Sequence, residues 1–277
     1  MNGGRMSNLQ VRVLSSIVMA ALTLTLAWWG GLPFRLFAAV VAGAVFLEWA
    51  VMARQDGGAG LLARVPDALL AVFLIALVAG LPAMELLCLL AVAVVAWAVA
   101  ARLAGTSRWD APGIAYAGLS GFALAMLRDG DRSGLVAILF LFAVVWATDI
   151  FAYFVGRAVG GPKLAPAISP GKTRSGAVGG AVGGVVAGLL VAIVVGAGNL
   201  VLLGFAGLAL SVVSQAGDLF ESWVKRRHGR KDSGHIIPGH GGVMDRVDGL
   251  VAAALALYVI GWLMASADHP ASGLFPM

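Results

Sequence analysis

The sequence is poor in charge. Of its 277 residues only 12% are Asp, Glu, Lys or Arg while 60% are hydrophobic, where a soluble globular chain carries roughly 25% charged residues. This shortage, with a mean hydropathy of +0.94, excludes a soluble globular protein and leaves an all-α integral membrane protein. Cysteine is limited to Cys88, which excludes an internal disulfide. One cysteine and four histidines in no compact pattern also argue against a zinc site. No small-residue cleavage site follows Trp28 and Trp29, so the first apolar run reads as a span and not as a signal peptide. Soluble domains, low-complexity linkers and internal repeats are absent. The net charge of +5 carries no implication of nucleic acid, because basic residues in such a chain first mark cytoplasmic loops.

What is present is a series of apolar segments long enough to cross roughly 30 Å of hydrocarbon. They lie at 13–31, 34–52, 66–81, 82–103, 111–127, 134–156, 175–196, 199–223 and 246–266, which predicts about nine transmembrane helices. Placing the N-terminus and alternate loops in the cytoplasm collects there all but Arg35, Arg128 and Arg132 of the 19 basic residues. That asymmetry predicts a cytoplasmic N-terminus and an outer C-terminus. Two loops are long, 157–174 and 224–245, and all four lysines (Lys163, Lys172, Lys225 and Lys231) lie in or at the edge of them. The expected division is therefore 1–110, transmembrane helices without a recognised motif, and 111–277, a catalytic half with its site near the cytoplasmic face.

Charge gathers at 214–248. Ser214, Asp218, Glu221, Ser222 and Lys225 follow spacings of three, four and seven, which place them on one helix face. Acids and a cation on one stripe cannot face lipid, so the stripe must face a polar cavity. Asp245 and Asp248 share a face at the start of the last span. Asp149 interrupts an apolar run one turn before Tyr153, and an acid there suggests function, against the alternative of a buried acid satisfied by Thr148, Tyr153 or a neighbouring helix. Prolines 162, 166 and 170 then prevent a continuous helix, and Ser169, Lys172, Thr173 and Arg174 precede the seventh span as a helix N-terminus equipped to hold phosphate. It is not a Walker A loop, since SPGKT lacks the first glycine at the required spacing. Gly176, Gly180, Gly184 and Gly188, four apart, read as a packing ridge that seats the helix carrying Asp149 or Asp218. Carboxylates from separate helices suit a hard, oxygen-coordinated cation such as Mg²⁺, with room for a second cation. The metal candidates are Asp218, Asp245, Asp149, Asp248 and Glu221.

The segment SWVKRRHGRKDSGHIIPGHGGVMDRVD, from Ser222 to Asp248, resembles the signature of the phosphatidate cytidylyltransferases, or CDP-diacylglycerol synthases. Asp149-x3-Tyr153-x2-Gly156-Arg157 with the following KLAPAISPGKT is similar to a second region of that family, so the resemblance covers about the C-terminal half. Many members carry two lysines in the SPKKT motif and an acid shortly after, where this chain has Gly171-Lys172 and Ser175. The resemblance implies Mg²⁺-dependent transfer of CMP from CTP to phosphatidic acid, giving CDP-diacylglycerol and pyrophosphate in phospholipid biosynthesis. It further implies a homodimer in a bacterial inner (plasma) membrane.

On that reading Asp218, Asp245, Lys225, Arg246 and His240 are the catalytic candidates. Ser169, Lys172, Thr173, Arg226, Lys231, Asp232, Tyr153 and Ser222 are the substrate-binding candidates. Two rivals stand beside it. A CDP-alcohol phosphotransferase would need an arginine and further acids after Asp248-Gly249, which are missing. An ion-coupled transporter would use intramembrane acids, but here the polar groups gather at one membrane face.

Overall fold

The computed structural model describes residues 8–54, 61–129, 132–237 and 241–276, and places nine long helices and one short one among them. They are α1 (Asn8–Trp29), α2 (Gly31–Ala53), α3 (Val65–Ala79), α4 (Ala83–Leu103), α5 (Asp110–Leu127), α6 (Arg132–Val159), α7 (Arg174–Val195), α8 (Leu200–Arg227), α9 (Met244–Met264) and α10 (Pro270–Leu274). A two-stranded hairpin, β1 (Lys163–Ala165) and β2 (Ser169–Thr173), joins α6 to α7.

Seven of these helices are long and apolar enough to cross a membrane: α2, α4, α6, α7, α8, α9 and the Arg12–Trp29 part of α1. The chain is an all-α multi-pass membrane protein. The other two expected spans correspond to α3 and α5. With 15 residues, α3 reaches about 22 Å at 1.5 Å per residue. With 18 residues, α5 reaches about 27 Å, again short of the hydrocarbon thickness.

The small residues of α5 are explained by what it touches. It runs against α2, α3, α4 and α9 and is buried along most of its length. A helix surrounded by protein needs small surfaces for its neighbours more than it needs apolar bulk for lipid. A Cβ on Gly113 would come within 2.5 Å of the Trp49 ring, and one on Gly121 within 2.9 Å of the Ala42 methyl. By contrast α7 turns Val178, Val182, Val186 and Ile193 outward, as a lipid-facing helix does.

The ridge of four-spaced glycines seats α6. A Cβ on Gly176 would lie 2.7 Å from the Ala152 carbonyl oxygen, and one on Gly180 2.7 Å from that of Thr148. Bare glycine faces let the two backbones approach closely, the packing that membrane helices favour. The same device joins α8 to α9, where a Cβ on Gly217 would meet the Asp248 carbonyl oxygen at 2.8 Å and one on Gly249 that of Ser214 at 3.0 Å. Thr148 adds a buried polar link, donating to the Val144 carbonyl and sharing a 2.7 Å hydrogen bond with Ser211 of α8. Three helices carrying Asp149, Asp218 and Asp248 are thus clamped at one end of the bundle. At the opposite end α10 folds back, with Phe275 against Phe140 and Asp268 accepting the Ala83 N–H at 2.7 Å to cap α4.

This packing has a measurable cost if filled. Gly180→Ala gains up to ~1 kcal/mol of helix propensity but overpacks backbone, a penalty of about 1–3 kcal/mol, so a net fall in Tm in detergent is expected. Gly204→Ala, whose Cβ makes only ordinary contact at 3.8 Å with Leu189, is the control and should leave Tm unchanged or raise it.

Candidate active site

The hairpin forms because Pro162, Pro166 and Pro170 exclude helix from the connection. Lys163 pairs with Thr173 and Ala165 with Ser169, and the Arg174 N–H donates to the Pro162 carbonyl at 2.9 Å. The chain then enters α7 directly. Thr173 is its N-cap and accepts the Gly176 N–H at 3.1 Å, while Ser175 Oγ donates to the Gly160 carbonyl. Thr173 Oγ1 thus caps α7 as an acceptor, and Ser169 lies opposite Ala165 in the hairpin. Lys172 behaves differently. Its ammonium reaches across to α8 and ion-pairs with Asp218, so the hairpin and α8 form two walls of one space.

The α8 stripe divides along its length. Ser214 is buried and donates to the Ser211 carbonyl within its own helix. Asp218 is partly open, with Ser222 Oγ at 3.5 Å. One turn further, Glu221 is 0% exposed, and Lys225 Nζ lies 2.6 Å from it and 2.7 Å from Asp245 of α9. Asp245 also accepts the N–H groups of Ser233 at 3.1 Å and Gly242 at 3.0 Å. Asp248, one helical turn on, accepts the adjacent Gly249 N–H at 2.7 Å and no other hydrogen bond from the described residues. Arg226 turns away from these acids and donates to the Arg230 carbonyl, and Lys231 is exposed beside it. His240 lies outside the described residues.

Two adjoining cavities result. One is a polar cleft of about 370 Å³ lined by Asp149, Asp218, Lys225, Asp232, Asp245, Arg246 and Asp248. The other, about 720 Å³, is bounded by α6, the hairpin and α7, and its polar lining includes Tyr153, Arg157, Lys163, Lys172 and Gln215. Asp149 and Asp218 line both. Asp149 is exposed and has no hydrogen bond or ion pair to another described residue. Thr148 and Tyr153, its potential local partners, bond instead to Val144 with Ser211 and to Arg157.

The donor set suits a hard divalent cation, being carboxylate oxygens, with Asp149 left without a partner among the described residues. Among the described residues, however, no three Asp, Glu, His or Cys side chains converge closely enough to hold a metal as they stand. Two lysine ammoniums occupy positions between the acids instead. Glu221 faces Lys225 from a fully buried position and does not line the cleft.

One residue of the site was not singled out from the sequence. Glu48 of α2, only 3% exposed, accepts the Ser233 hydroxyl at 3.0 Å and the N–H groups of Val243 and Met244 at 2.9 and 2.8 Å. Its signal was the one that drew attention to Asp149: a single carboxylate within the apolar run FAAVVAGAVFLEWA.

Lys225 neutralises two carboxylates in a mostly buried setting. Lys225→Met leaves both uncompensated, and removing one member of a buried ion pair costs about 3–5 kcal/mol. Unfolding in detergent should show a loss of that order, partly recovered in Lys225→Met/Glu221→Gln, which removes one of the stranded charges.

The model of the "Cytidylyltransferase family" matches residues 10–264. A phosphatidate cytidylyltransferase of Brucella suis is 47% identical over 272 residues, 98% of this chain and 99% of that protein. One of Brucella abortus is 48% identical over 265 residues, covering 95% and 97%. The phosphatidate cytidylyltransferase of Bacillus subtilis is 37% identical over 146 residues, about half of each chain. The similarity to the Brucella proteins reaches through the N-terminal helices, well beyond the motifs of the C-terminal half. The chain belongs to the cytidylyltransferase family and is a nucleotidyltransferase.

Proposed function

We propose that the chain transfers CMP from CTP to phosphatidate, giving CDP-diacylglycerol and pyrophosphate, and that the two adjoining cavities are where it does so. The carrying observation is their shared wall: Asp149 and Asp218 border both a polar cleft with charged lining and a larger cavity walled mainly by helix and glycine surface. A reaction between a polyanionic nucleotide and a lipid phosphate needs two such spaces meeting at one point.

An oxygen of the lipid phosphate attacks the α-phosphorus of CTP. The new P–O bond forms as the bond from that phosphorus to the bridging oxygen breaks, and pyrophosphate leaves. The attacking phosphate is already ionised at neutral pH, so no strong general base is required. The chain's task is to hold two anions in line and offset their repulsion. Lys225 and Arg246 supply positive charge at the polar cleft. Lys172, now paired with Asp218, stands at the junction of the two spaces and is within reach of either phosphate.

Mg²⁺ belongs to the same proposal. Asp149, Asp218 and Asp248 would hold it, with Asp245 beside them, and it would supply charge neutralisation at the nucleotide phosphates. The absence of other partners for Asp149 and the bare oxygen donor set support this choice. The concentration of basic residues on alternate loops supports a site on the cytoplasmic face, with an N-terminus on that same face, in a bacterial inner membrane.

Purified protein in detergent should release pyrophosphate from CTP only when phosphatidate and Mg²⁺ are both present. Release without phosphatidate would overturn the assignment. Asp218→Asn and Asp149→Asn should each reduce turnover by about 10²–10³-fold, the scale of losing a preorganised electrostatic contact, and should shift the Mg²⁺ concentration dependence. Near-normal Mg²⁺ dependence in both variants would remove these acids from the metal site.

A further inference from the structure

The helix that carries Asp245 and Asp248 begins without a cap of its own. The residue at the N-cap of α9 is Val243, and no local side chain accepts its first N–H groups, although such groups need partners when buried. The partner comes from α2. Glu48, 185 to 196 residues away in sequence, accepts the Val243 N–H at Oε1 and both the Met244 N–H and the Ser233 hydroxyl at Oε2. Glu48, Ser233 and Met244 are all buried.

The contact fixes both ends of one loop. Ser233, held by Glu48, donates its own N–H to Asp245, and Gly242, adjoining the Glu48-bound amides, donates to the same carboxylate at 3.0 Å. Space for this is made by glycine: a Cβ on Gly234 would come within 2.5 Å of Glu48 Oε1, and one on Gly242 within 2.6 Å of Oε2. Moving Glu48 would therefore release the amides that aim Asp245, while the Asp245–Lys225 pair would lose its backbone support. Ionic support of a fold, such as Arg54 with Asp67 and Asp110 in the same N-terminal helices, has no such connection to the cleft.

We propose that Glu48 is a positioning residue for the nucleotide. It sets the segments 233–237 and 241–244 before and at the start of α9 and, through Ser233 and Gly242, the orientation of Asp245 in the polar cleft. It does not touch substrate. The N-terminal helices are on this view part of the catalytic apparatus. The proposal rests on the reading that the polar cleft takes the triphosphate of CTP, and the test separates the two.

Steady-state kinetics with CTP and phosphatidate varied separately are measured for Glu48→Gln, Ser233→Ala, the double variant and Asp245→Asn, with Tm and hydrogen exchange of the loop amides. Glu48→Gln should raise KM for CTP or lower kcat by about 10- to 100-fold, the range for groups that orient a primary contact, with KM for phosphatidate unchanged. Amides of 233–237 and 241–244 should exchange faster. Ser233→Ala should move the same parameter less, and the double variant should be no worse than Glu48→Gln. A lower Tm with unchanged CTP kinetics, or equal changes for both substrates, would make Glu48 a fold anchor and overturn the proposal. If Glu48→Gln does not fold, Ser233→Ala decides: CTP kinetics unchanged there while Asp245→Asn is impaired would equally overturn it. Unchanged CTP kinetics in Asp245→Asn would instead refute the assignment of the cleft to the nucleotide.

Discussion

A carboxylate enclosed by apolar helices is stable only when a cation or a set of N–H groups answers it, and the site is arranged around that requirement. Glu221 has no exposed surface and is answered by Lys225. Lys225 also answers Asp245, Lys172 answers Asp218, and two backbone amides with a hydroxyl answer Glu48. Apart from the Glu221–Lys225 pair, which lies within α8, these contacts join elements distant in the chain: the hairpin to α8, α8 to α9, and α2 to the loop before α9. The neutralisation of charge and the assembly of the site are thus the same set of contacts.

Those contacts require helices to come closer than ordinary side chains allow. Gly176 and Gly180 bring α7 against α6, and Gly217 with Gly249 bring α8 against α9. Without this approach Asp149, Asp218 and Asp248 could not border one cleft, because they arise from three helices. Small residues also explain α5. Its glycines receive Trp49 and Ala42, and Trp49 follows Glu48 on α2, donating from its indole to the Trp109 carbonyl at 2.7 Å. The central helix therefore helps to fix the very turn of α2 that supplies the cap of α9.

Much of this was legible in the sequence, for identifiable reasons. Glycines at a period of four announce a packing face whatever the partner, and the structure supplies α6 as that partner. Asp149, Asp218, Asp245 and Asp248 stood out because a charge in an apolar run is conspicuous, and they do line common space. The Ser169–Arg174 stretch was harder, since a helix N-terminus looks alike whether its hydroxyl caps the helix or receives a ligand; Thr173 caps. A stripe at spacings of three and four could not reveal that Glu221 lies beneath Lys225 while Asp218 lies open. Glu48 carried the same local signal as Asp149, but its partners are amides that acquire meaning only once α9 is seen to start at Met244 with no cap nearby. In the sequence α3 and α5 are apolar runs like the rest, and the structure shows them as the two shortest of the nine long helices, with α5 enclosed by its neighbours.

The balance of charge in the polar cleft bears on its use. Asp149, Asp218, Asp232, Asp245 and Asp248 line it against only Lys225 and Arg246, and Lys172 offsets Asp218 from the adjoining cavity. A nucleotide triphosphate entering this surplus of negative charge would be repelled at short range, where the low dielectric strengthens each interaction. Productive binding therefore needs added positive charge among the carboxylates, and the ammoniums of Lys172 and Lys225 must divide their attraction between acid and phosphate. On the proposed reading, Asp149, Asp218 and Asp248 would hold a divalent cation that would supply this charge, and Lys172 and Lys225 would face the phosphates. On the same reading, this surplus of carboxylates would work against tight retention of pyrophosphate.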